Sequence, residues 1–239
     1  DDFFEKIALS TLYDDIQKNG DADYIEFNFF QLRYGYLKIK DSFLLPRDAN
    51  INVIDVKTRD GGHHWEIFNK CFKTSFAKLA YRNMSEDYIV FSEDFYQTCI
   101  LDYFAKNRRI LQKYLYVYVI GTGITAEQIY SKEKLKKIIL SGFNIEKHLS
   151  SFYKKEGQQQ YIELLRQHTI ELYLWFMERS KLDDFIECCK EILDEPTLEN
   201  LLLQYLGRTS SEVRAIKKQN KLSLMFAKLK RYLKRRFRR

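Results

Sequence analysis

The hydrophobic pattern of this 239-residue chain changes its period at about residue 123, and this change limits the folds open to it. Before that point, apolar residues alternate with polar ones over 23–32, which predicts a half-buried strand, and β-branched and aromatic residues dominate 109–120, which predicts one strand or two. After it, apolar residues recur at helical spacing throughout. We therefore predict an α/β region followed by a region of helices alone.

Several elements of the first region can be predicted individually. Apolar spacing indicates helices over 2–18 and 88–104, and residues 34–39 are expected to pair with the first strand. Residues 45–64 are rich in Asp, Asn and Gly and are predicted as a long loop. Residues 65–81 fit a strand and a helix equally well.

Residues that begin or end helices divide the second region. Pro196 suits a first helical turn, where its missing N–H has no partner to lose. Two segments that begin with Thr and end with Gln or Glu have the capping-box pattern of a helix start. They are residues 125–128 and 209–212. Three glycines are predicted helix ends, namely Gly142, Gly157 and Gly207.

The net charge of +7 is unevenly distributed along the chain. Residues 208–239 contain 13 basic residues and one acid, Glu212, which gives this tail +12 and leaves −5 for the rest. Apolar residues recur on one helical face of the tail, between the basic ones. The basic positions expected at a membrane surface are Lys230, Arg231, Lys234, Arg235 and Arg236.

Three partners fit such a tail. Basic residues around an apolar stripe describe a helix that lies on an anionic membrane. The same stripe also fits a helix that docks on the protein's own core and leaves its basic end in solvent. Nucleic acid is the least suited of the three, because a phosphate-binding segment needs no apolar stripe.

Cysteine usage and hydropathy favour a cytoplasmic chain. Cys71, Cys99, Cys188 and Cys189 form no C-x-x-C pair, so we expect reduced thiols. The two histidines at 63–64 with a single nearby thiol are too few ligands for zinc, and a polar loop is the simpler interpretation. Because no run of 18 apolar residues occurs, no transmembrane helix is expected.

A Ser-Glu-Asp triplet occurs twice, at 85–87 and 92–94. Their spacing of seven residues is two helical turns, so both would lie on one helix face about 10 Å apart. A carboxylate there, such as Asp87, Glu93 or Asp94, can act as a general base if it reaches a reacting hydroxyl. The other interpretation is a solvated acidic face with a serine as N-cap.

Asp1 and Asp2 form another pair of acids. Paired acids at a strand end can hold Mg²⁺ or Mn²⁺ against a diphosphate. Alternatively, two acids at a helix N-terminus simply suit the helix dipole. Tyr and Phe together number 35, and the aromatic block over 114–118 fits either a sugar-binding surface or ordinary strand composition.

The order of these segments resembles the C-terminal half of bacterial family 2 glycosyltransferases, which have the GT-A fold and build capsule or lipooligosaccharide. The segments are DDFFE, a helix, DADYIEFNF, a loop, FNKCFK, a Glu-Asp pair, a helix, LYVY and GTGIT, and they extend to about residue 125. The resemblance implies the C-terminal, acceptor-side half of a Rossmann-like GT-A domain over 1–123. A helical region over 124–207 and a basic amphipathic helical tail over 208–239 would follow.

The resemblance implies roles for individual residues. In the family, an apolar strand ends in Asp-x-Asp-Asp, whose acids hold a divalent cation on the sugar nucleotide; Asp1 matches the second acid and Asp2 the one after it. The implied cofactor is Mn²⁺ or Mg²⁺. In the acceptor-binding segment Lys70 matches, Phe68 stands at the position of the aromatic residue, and Trp65 lies three residues early.

The family's Glu-Asp pair supplies the catalytic base, usually the Asp. About twenty residues separate this Asp from the Leu-Tyr-x-Tyr strand in the family. Here twenty residues lie between Asp94 and Leu115, and twenty-seven lie between Asp87 and Leu115. The resemblance therefore favours Glu93-Asp94, with Glu86-Asp87 as the second choice.

The resemblance implies an inverting sugar transfer in bacterial surface polysaccharide synthesis. The expected partners are a nucleotide-sugar donor, a glycan or lipid-linked acceptor and, through the tail, the anionic inner face of the cell membrane. The family's N-terminal nucleotide-binding half has no counterpart in these residues, so we expect a portion of a longer protein or the product of a split gene. The alternative is a non-catalytic peripheral membrane adaptor whose acidic pairs are solvated surface.

Overall fold

The computed structural model of the protein describes residues 2–33, 36–39, 65–121 and 130–215. Several predicted features lie outside these residues and stay predictions. They are Asp1, the loop over 45–64 with its two histidines, the capping box at 125–128 and the basic tail positions Lys230, Arg231, Lys234, Arg235 and Arg236.

The described residues form one mixed sheet and seven helices, which confirms the α/β class. The strands are β1 (Phe3–Phe4), β2 (Tyr24–Arg33), β3 (Tyr36–Ile39), β4 (Lys70–Phe72) and β5 (Arg108–Val119). The helices are α1 (Ala8–Asn19), α2 (Thr74–Tyr81), α3 (Glu93–Phe104), α4 (Lys132–Lys155), α5 (Gln160–Glu178), α6 (Leu182–Ile192) and α7 (Glu195–Ala215). The acceptor-side GT-A assignment of this region stays a prediction.

The sheet is built around β2 and β5, two long strands that run parallel. β1 pairs antiparallel with β5, while β3 and β4 pair antiparallel with the two ends of β2. The predicted strands over 23–32 and 109–120 are confirmed, and the pairing predicted for 34–39 is confirmed for Tyr36–Ile39. Residues 65–81 contain both a short strand and a helix.

The first half of β2 is buried on both of its faces. Tyr24, Ile25, Glu26 and Phe27 are each no more than 2% exposed, so the prediction of a half-buried strand is wrong here. Ile25 and Phe27 belong to a hydrophobic cluster with α1, whereas Tyr24 belongs to a second cluster with α2, α3, α4 and α5. A central strand covered by helices on both sides is buried at successive positions.

The start of the described chain is a strand rather than a helix. The helix predicted over 2–18 begins only at Ala8, because Phe3 and Phe4 pair with β5. The ring of Phe4 also lies edge-on to Tyr116, with 5.0 Å between the ring centroids. These contacts replace the intrahelical hydrogen bonds that the two phenylalanines would otherwise form.

The two Ser-Glu-Asp triplets do not share a helix. α3 begins at Glu93, so the prediction of a helix starting at residue 88 is wrong in its first turn. The preceding segment binds α4 instead, because the Tyr88 carbonyl accepts a hydrogen bond from a side-chain amide of α4 at 3.1 Å. The Val90 N–H donates to Oγ of Ser141 at 3.0 Å. The prediction of one shared acidic helix face is therefore wrong.

One of the three predicted helix-ending glycines has that role. Gly157 lies between α4 and α5 at φ +71°, in the left-handed region that glycine adopts without strain. Gly142 lies inside α4 and Gly207 inside α7, so the prediction is wrong for both. The capping box at 209–212 also falls inside α7, whereas Pro196 lies in a first helical turn as predicted.

The chain divides into two compact units, residues 1–192 and residues 193–239. The first unit contains the sheet and α1 to α6. The second contains α7, which buries Leu198, Leu201 and Leu202. The predicted boundaries at 123 and 207 stay predictions. Among the described residues, no helix combines the length and the hydropathy that crossing a bilayer requires.

The position of Gly142 inside α4 leads to a testable prediction. A Cβ at Gly142 would lie 2.9 Å from the Cε1 atom of Tyr173, whose ring is buried. The hydroxyl of Tyr173 donates to the Ile139 carbonyl at 3.1 Å, which holds the ring in place. Because this ring would have to move, we expect Gly142→Ala to lower the free energy of unfolding by about 1–3 kcal/mol.

Gly207→Ala is the matched control for this substitution. Gly207 also lies inside a helix, but no atom lies within 4 Å of an added Cβ. Alanine should therefore stabilise that helix by up to about 1 kcal/mol. Urea denaturation followed by circular dichroism measures both variants. A Gly142→Ala variant that gains stability as Gly207→Ala does would contradict the packing argument.

Candidate active site

Strand β5 presents two tyrosines that stack on Phe68. Tyr116 and Tyr118 are two residues apart and therefore point to the same side of the sheet. The ring of Phe68 lies 4.9 Å from that of Tyr116 and 5.0 Å from that of Tyr118, with interplanar angles of 18° and 5°. All three rings are half-buried, so they form a partly accessible aromatic surface. We call it the ring stack.

Asp2 lies at one side of the ring stack. Its carboxylate accepts hydrogen bonds from the Val119 N–H at 2.8 Å and from the Tyr116 hydroxyl at 3.1 Å. The antiparallel pairing of β1 with β5 sets this position, because Phe3 stands opposite Val117. The predicted metal-binding acid therefore lies at the end of a strand, beside the two tyrosines.

Asp94 lies in the first turn of α3 and is half-buried. Burial, followed by the nearby charge of Glu93, raises the pKa of Asp94 from 3.8 to about 6. A hydrogen bond from the Ile67 N–H and the charge of Lys70 act in the opposite direction. A carboxylate with such a pKa is deprotonated at neutral pH yet basic enough to accept a proton.

Asp2 and Asp94 act on the same two tyrosines. The pKa of Tyr116 is raised to about 12, mainly by burial and then by Asp2, with a further contribution from Asp94. The pKa of Tyr118 is raised by burial and then by Asp2, Asp94 and Glu66. The two predicted site acids, distant in sequence, therefore both lie near the ring stack: Asp2 accepts a hydrogen bond from Tyr116, and Asp94 accepts one from the Ile67 N–H, directly before Phe68.

The backbone around Asp94 is held in an unusual conformation. Ser92, directly before α3, has φ +58°, the one positive φ of a non-glycine residue in the described part of the chain. Such a conformation costs about 1–3 kcal/mol and occurs often at functional sites. The hydroxyl of Thr98 donates to the Trp65 carbonyl at 2.8 Å, which ties the segment carrying Ile67 to α3.

Lys70 lies beneath the site rather than on its surface. Its side chain is fully buried and forms an ion pair with Glu26 at 3.5 Å, in register across β2 and β4. Its Nζ atom also donates to the Glu66 carbonyl and to the side chain of Asn69. The acceptor-binding role of Lys70 stays a prediction. The structure shows that the buried positive charge of Lys70 lowers the pKa of Asp94.

Trp65, the other predicted acceptor-binding residue, packs between α3 and α5. Its half-buried ring lies edge-on to Phe95 at 6.3 Å and near His168 at 6.5 Å, measured between ring centroids. Its carbonyl is the acceptor that fixes the segment to α3. Contact with an acceptor sugar stays a prediction for Trp65.

Asp87, the second choice for the base, lies elsewhere. Its carboxylate pairs with Nε2 of His148 at 2.5 Å, and this hydrogen bond is the main reason that its pKa is lowered. Asp87 and Glu86 are exposed in the segment before α3. Glu93 is exposed as well, next to Asp94. Of these acids, Asp94 is the one whose charge affects both tyrosines of the ring stack.

The described residues contain no group of three or more His, Cys, Asp or Glu side chains that could hold a metal ion by themselves. Mg²⁺, however, is commonly bound through one or two carboxylates together with substrate phosphates. The carboxylate of Asp2 accepts one hydrogen bond on each oxygen and keeps lone pairs for a cation. Asp2 therefore fits a cation that is shared with a diphosphate.

Two acids at the site were not predicted from the sequence. Glu26 is 1% exposed and Glu66 is 9% exposed, and both lie near Lys70. Glu26 could have been recognised, because it is the single acid of β2, and a buried acid must have a partner. Nothing in the local sequence marks Glu66.

No family model matches the sequence, and no curated protein matches it. One solved structure is similar in part. It is the crystal structure of S. aureus TarS residues 1–349 in complex with UDP-GlcNAc, at 15% identity and a TM-score of 0.45, over 92% of this chain and 67% of the TarS chain. The interpretation of the site therefore rests on the contacts of its own residues.

Proposed function

We propose that this chain carries the acceptor side of an inverting glycosyltransferase. It would transfer a sugar from a nucleotide-sugar donor to a glycan or lipid-linked acceptor in bacterial surface polysaccharide synthesis. The observation that supports this proposal most is the position of both Asp2 and Asp94 near the ring stack. In this proposal, one acid would face the diphosphate and the other would face the acceptor hydroxyl.

Asp94 would act as the general base. An acceptor hydroxyl within hydrogen-bond reach of its carboxylate gives up its proton as the oxygen attacks the anomeric carbon of the donor. The new carbon–oxygen bond forms as the bond to the nucleoside diphosphate breaks, so the anomeric centre inverts. The leaving diphosphate takes the bonding electron pair, and the proton stays on Asp94.

Asp2, together with Asp1, would hold the divalent cation. When bound, Mn²⁺ or Mg²⁺ neutralises the charge that develops on the leaving diphosphate. The hydrogen bonds from Val119 and Tyr116 fix the carboxylate of Asp2, which keeps its free lone pairs oriented. This chain's contribution is therefore a carboxylate that needs little reorganisation when the donor binds.

The ring stack would hold the acceptor sugar between the two acids. Partly accessible, nearly parallel rings offer a flat apolar surface for the C–H face of a sugar. The hydroxyl of Tyr118 lies close enough to Asp2, Asp94 and Glu66 for all three charges to raise its pKa. It therefore stays protonated at neutral pH and can donate a hydrogen bond to a sugar oxygen.

The test of this proposal uses the full-length protein and a panel of nucleotide sugars, with release of the nucleoside diphosphate as the readout. Asp2→Asn should raise the Mn²⁺ concentration needed for half-maximal activity by about tenfold or more, because a neutral amide binds the cation more weakly. Chelation should abolish turnover in both proteins.

Asp14→Asn provides the matched control for Asp2→Asn, since Asp14 is an exposed acid on α1. Its Mn²⁺ requirement should equal that of the unmodified protein. An unchanged Mn²⁺ requirement in Asp2→Asn would refute the metal-binding role of Asp2. Absence of diphosphate release with every donor would refute the transferase proposal itself.

A further inference from the structure

A groove of about 610 Å³ lies between α4 and α5, outside the site described above. This volume is within the range of small-molecule binding sites, about 300–1,000 Å³. The polar side chains that matter most in its lining are Lys147, Ser150, Ser151, Lys154, Glu163 and Arg166. The groove therefore combines three cations and two hydroxyls with one carboxylate.

The helix periodicity places these groups on facing surfaces. Lys147, Ser150, Ser151 and Lys154 are spaced i, i+3, i+4 and i+7 along α4, so they share one helix face. Glu163 and Arg166 are three residues apart on α5 and share a face in the same way. A buried apolar core that includes Leu149, Tyr153 and Leu165 holds the two helices together. The helix faces that line the groove are therefore fixed relative to each other.

The cations of α4 differ according to the side they occupy. Toward α6, Lys132 pairs with Glu187 at 2.6 Å, and Lys136 pairs with Glu191. Toward the groove, Lys147 and Lys154 form no ion pair with any described residue, although Lys147 is near enough to Asp87 to help lower its pKa. The first pair of lysines is held in ion pairs by neighbouring acids, and the second pair is not.

The other polar groups of the groove, an arginine and two serines, are also able to bind a ligand. Arg166 meets Glu146 and Glu163 at 3.9 and 4.0 Å, the outer limit of an ion pair. Buried Thr169 of α5 donates to a carbonyl of its own helix, as hydroxyls in helices often do. Within the described residues, the hydroxyls of Ser150 and Ser151 make no such bond. They are free to donate to a ligand.

We propose that this groove binds a phosphate group. Phosphate oxygens accept charge-assisted hydrogen bonds from ammonium and guanidinium groups, and serine hydroxyls can complete the shell. The phosphate would belong either to the headgroup of an anionic lipid or to a soluble phosphate ester, which present the same anion to these residues. The proposal does not depend on sugar transfer, because no residue of the groove belongs to the ring stack or its acids.

The test measures binding of inorganic phosphate to the full chain by calorimetry at low ionic strength. The variant with Lys147→Gln and Lys154→Gln should raise the Kd for phosphate by about tenfold or more, since two charged donors are lost. The control carries Lys132→Gln and Lys136→Gln, which removes the same charge from the same helix on the other side. Its Kd should change by less than about twofold, because those lysines are already paired.

A third variant separates hydrogen bonding from charge. Ser150→Ala with Ser151→Ala keeps the net charge and should still weaken phosphate binding by several-fold. Thermal unfolding of every variant checks that the fold is retained. An equal loss in both lysine variants would show general charge attraction and overturn the proposal. Absence of saturable phosphate binding up to about 10 mM would overturn it as well.

The source of the phosphate is decided with vesicles. Phosphatidylglycerol vesicles are compared with phosphatidylcholine vesicles for the unmodified chain and for the two lysine variants. Selective loss of phosphatidylglycerol binding in the groove variant supports a lipid headgroup. Selective loss of inorganic phosphate binding with unchanged vesicle binding supports a soluble phosphate ester. The basic tail is the same in all three proteins, so it cannot account for a difference between them.

Discussion

The Asp94→Asn variant of the full-length protein is expected to lose sugar transfer by about 10²- to 10⁴-fold in kcat. An amide cannot accept the proton of the acceptor hydroxyl, but its oxygen can still accept the hydrogen bond from the Ile67 N–H. The variant should therefore keep its local structure and its affinity for both substrates. Diphosphate release and acceptor glycosylation, measured together, give the rate.

Asp87→Asn makes the same chemical change seven residues earlier and is the matched control. Asp87 is exposed and paired with His148, so its loss should change kcat by less than about twofold. If Asp87→Asn lost activity and Asp94→Asn did not, the base would be Asp87. Near-normal turnover in both variants would remove both acids from the mechanism.

The pH dependence of kcat/KM provides a second measure of the same base. Because Asp94 accepts a proton only when ionised and its pKa is about 6, activity should rise with pH through about 6. Glu93→Gln removes a negative charge that raises this pKa, so the midpoint should move to lower pH with activity retained. Glu86→Gln, in the exposed segment before α3, should leave the midpoint unchanged.

Stability distinguishes a lost base from a damaged fold. An aspartate whose pKa is higher in the folded protein than in the unfolded chain destabilises the fold once it ionises. For Asp94 this loss develops as the pH rises from about 4 through about 6. Asp94→Asn should therefore match the unmodified protein in stability below pH 4 and exceed it at pH 8. A less stable variant at pH 8 would contradict this account of Asp94.

The sequence predicted the central strands because β2 and β5 have strong local signals. It did not predict that the first half of β2 is buried on both faces, because alternation of apolar and polar residues predicts one buried face and one face in solvent. Phe3 and Phe4 were assigned to a helix because their partner strand lies more than 100 residues further along the chain. Local periodicity contains no information about such pairing.

For the candidate site as well, the sequence predicted which residues are candidates, but the contacts between distant segments could not be predicted. Asp2 and Asp94 were both proposed from the sequence, but the two Ser-Glu-Asp triplets looked equivalent there. Tertiary contacts distinguish the two triplets. His148 of α4 pairs with Asp87, whereas Asp94 accepts a hydrogen bond from Ile67 and lies near the charge of Lys70. The resemblance favoured Asp94 by its spacing to β5, and the choice of Asp94 as the base stays a prediction.

A second large effect is expected from Asp102, in the core between the sheet and the helices. Its buried carboxylate accepts a hydrogen bond from the Tyr24 hydroxyl at 2.5 Å and pairs with Arg108 at 2.9 Å. These residues belong to α3, β2 and β5, so one carboxylate links three elements. Arg108 is nearly as buried as Asp102, with 7% of its side chain exposed.

Asp102→Ala should lower the free energy of unfolding by about 3–5 kcal/mol, because it leaves the buried guanidinium of Arg108 with less compensation and Tyr24 without this acceptor. That is a large part of the total stability of a typical domain, about 5–15 kcal/mol. Asp21→Ala is the matched control, since Asp21 pairs with Lys73 at 2.7 Å on the surface. Its cost should be much smaller than that of Asp102→Ala, because an exposed ion pair contributes little to stability.

Both tryptophans of the chain, Trp65 and Trp175, lie in the unit of residues 1–192, so urea denaturation followed by their fluorescence reports on the unit that contains Asp102. The double variant Asp102→Leu with Arg108→Met should regain much of the stability that Asp102→Ala loses. Replacing both partners of a buried ion pair with apolar residues is often neutral, whereas removing one partner leaves a buried charge. If Asp102→Ala cost no more than Asp21→Ala, this network would not be a principal link between the sheet and α3.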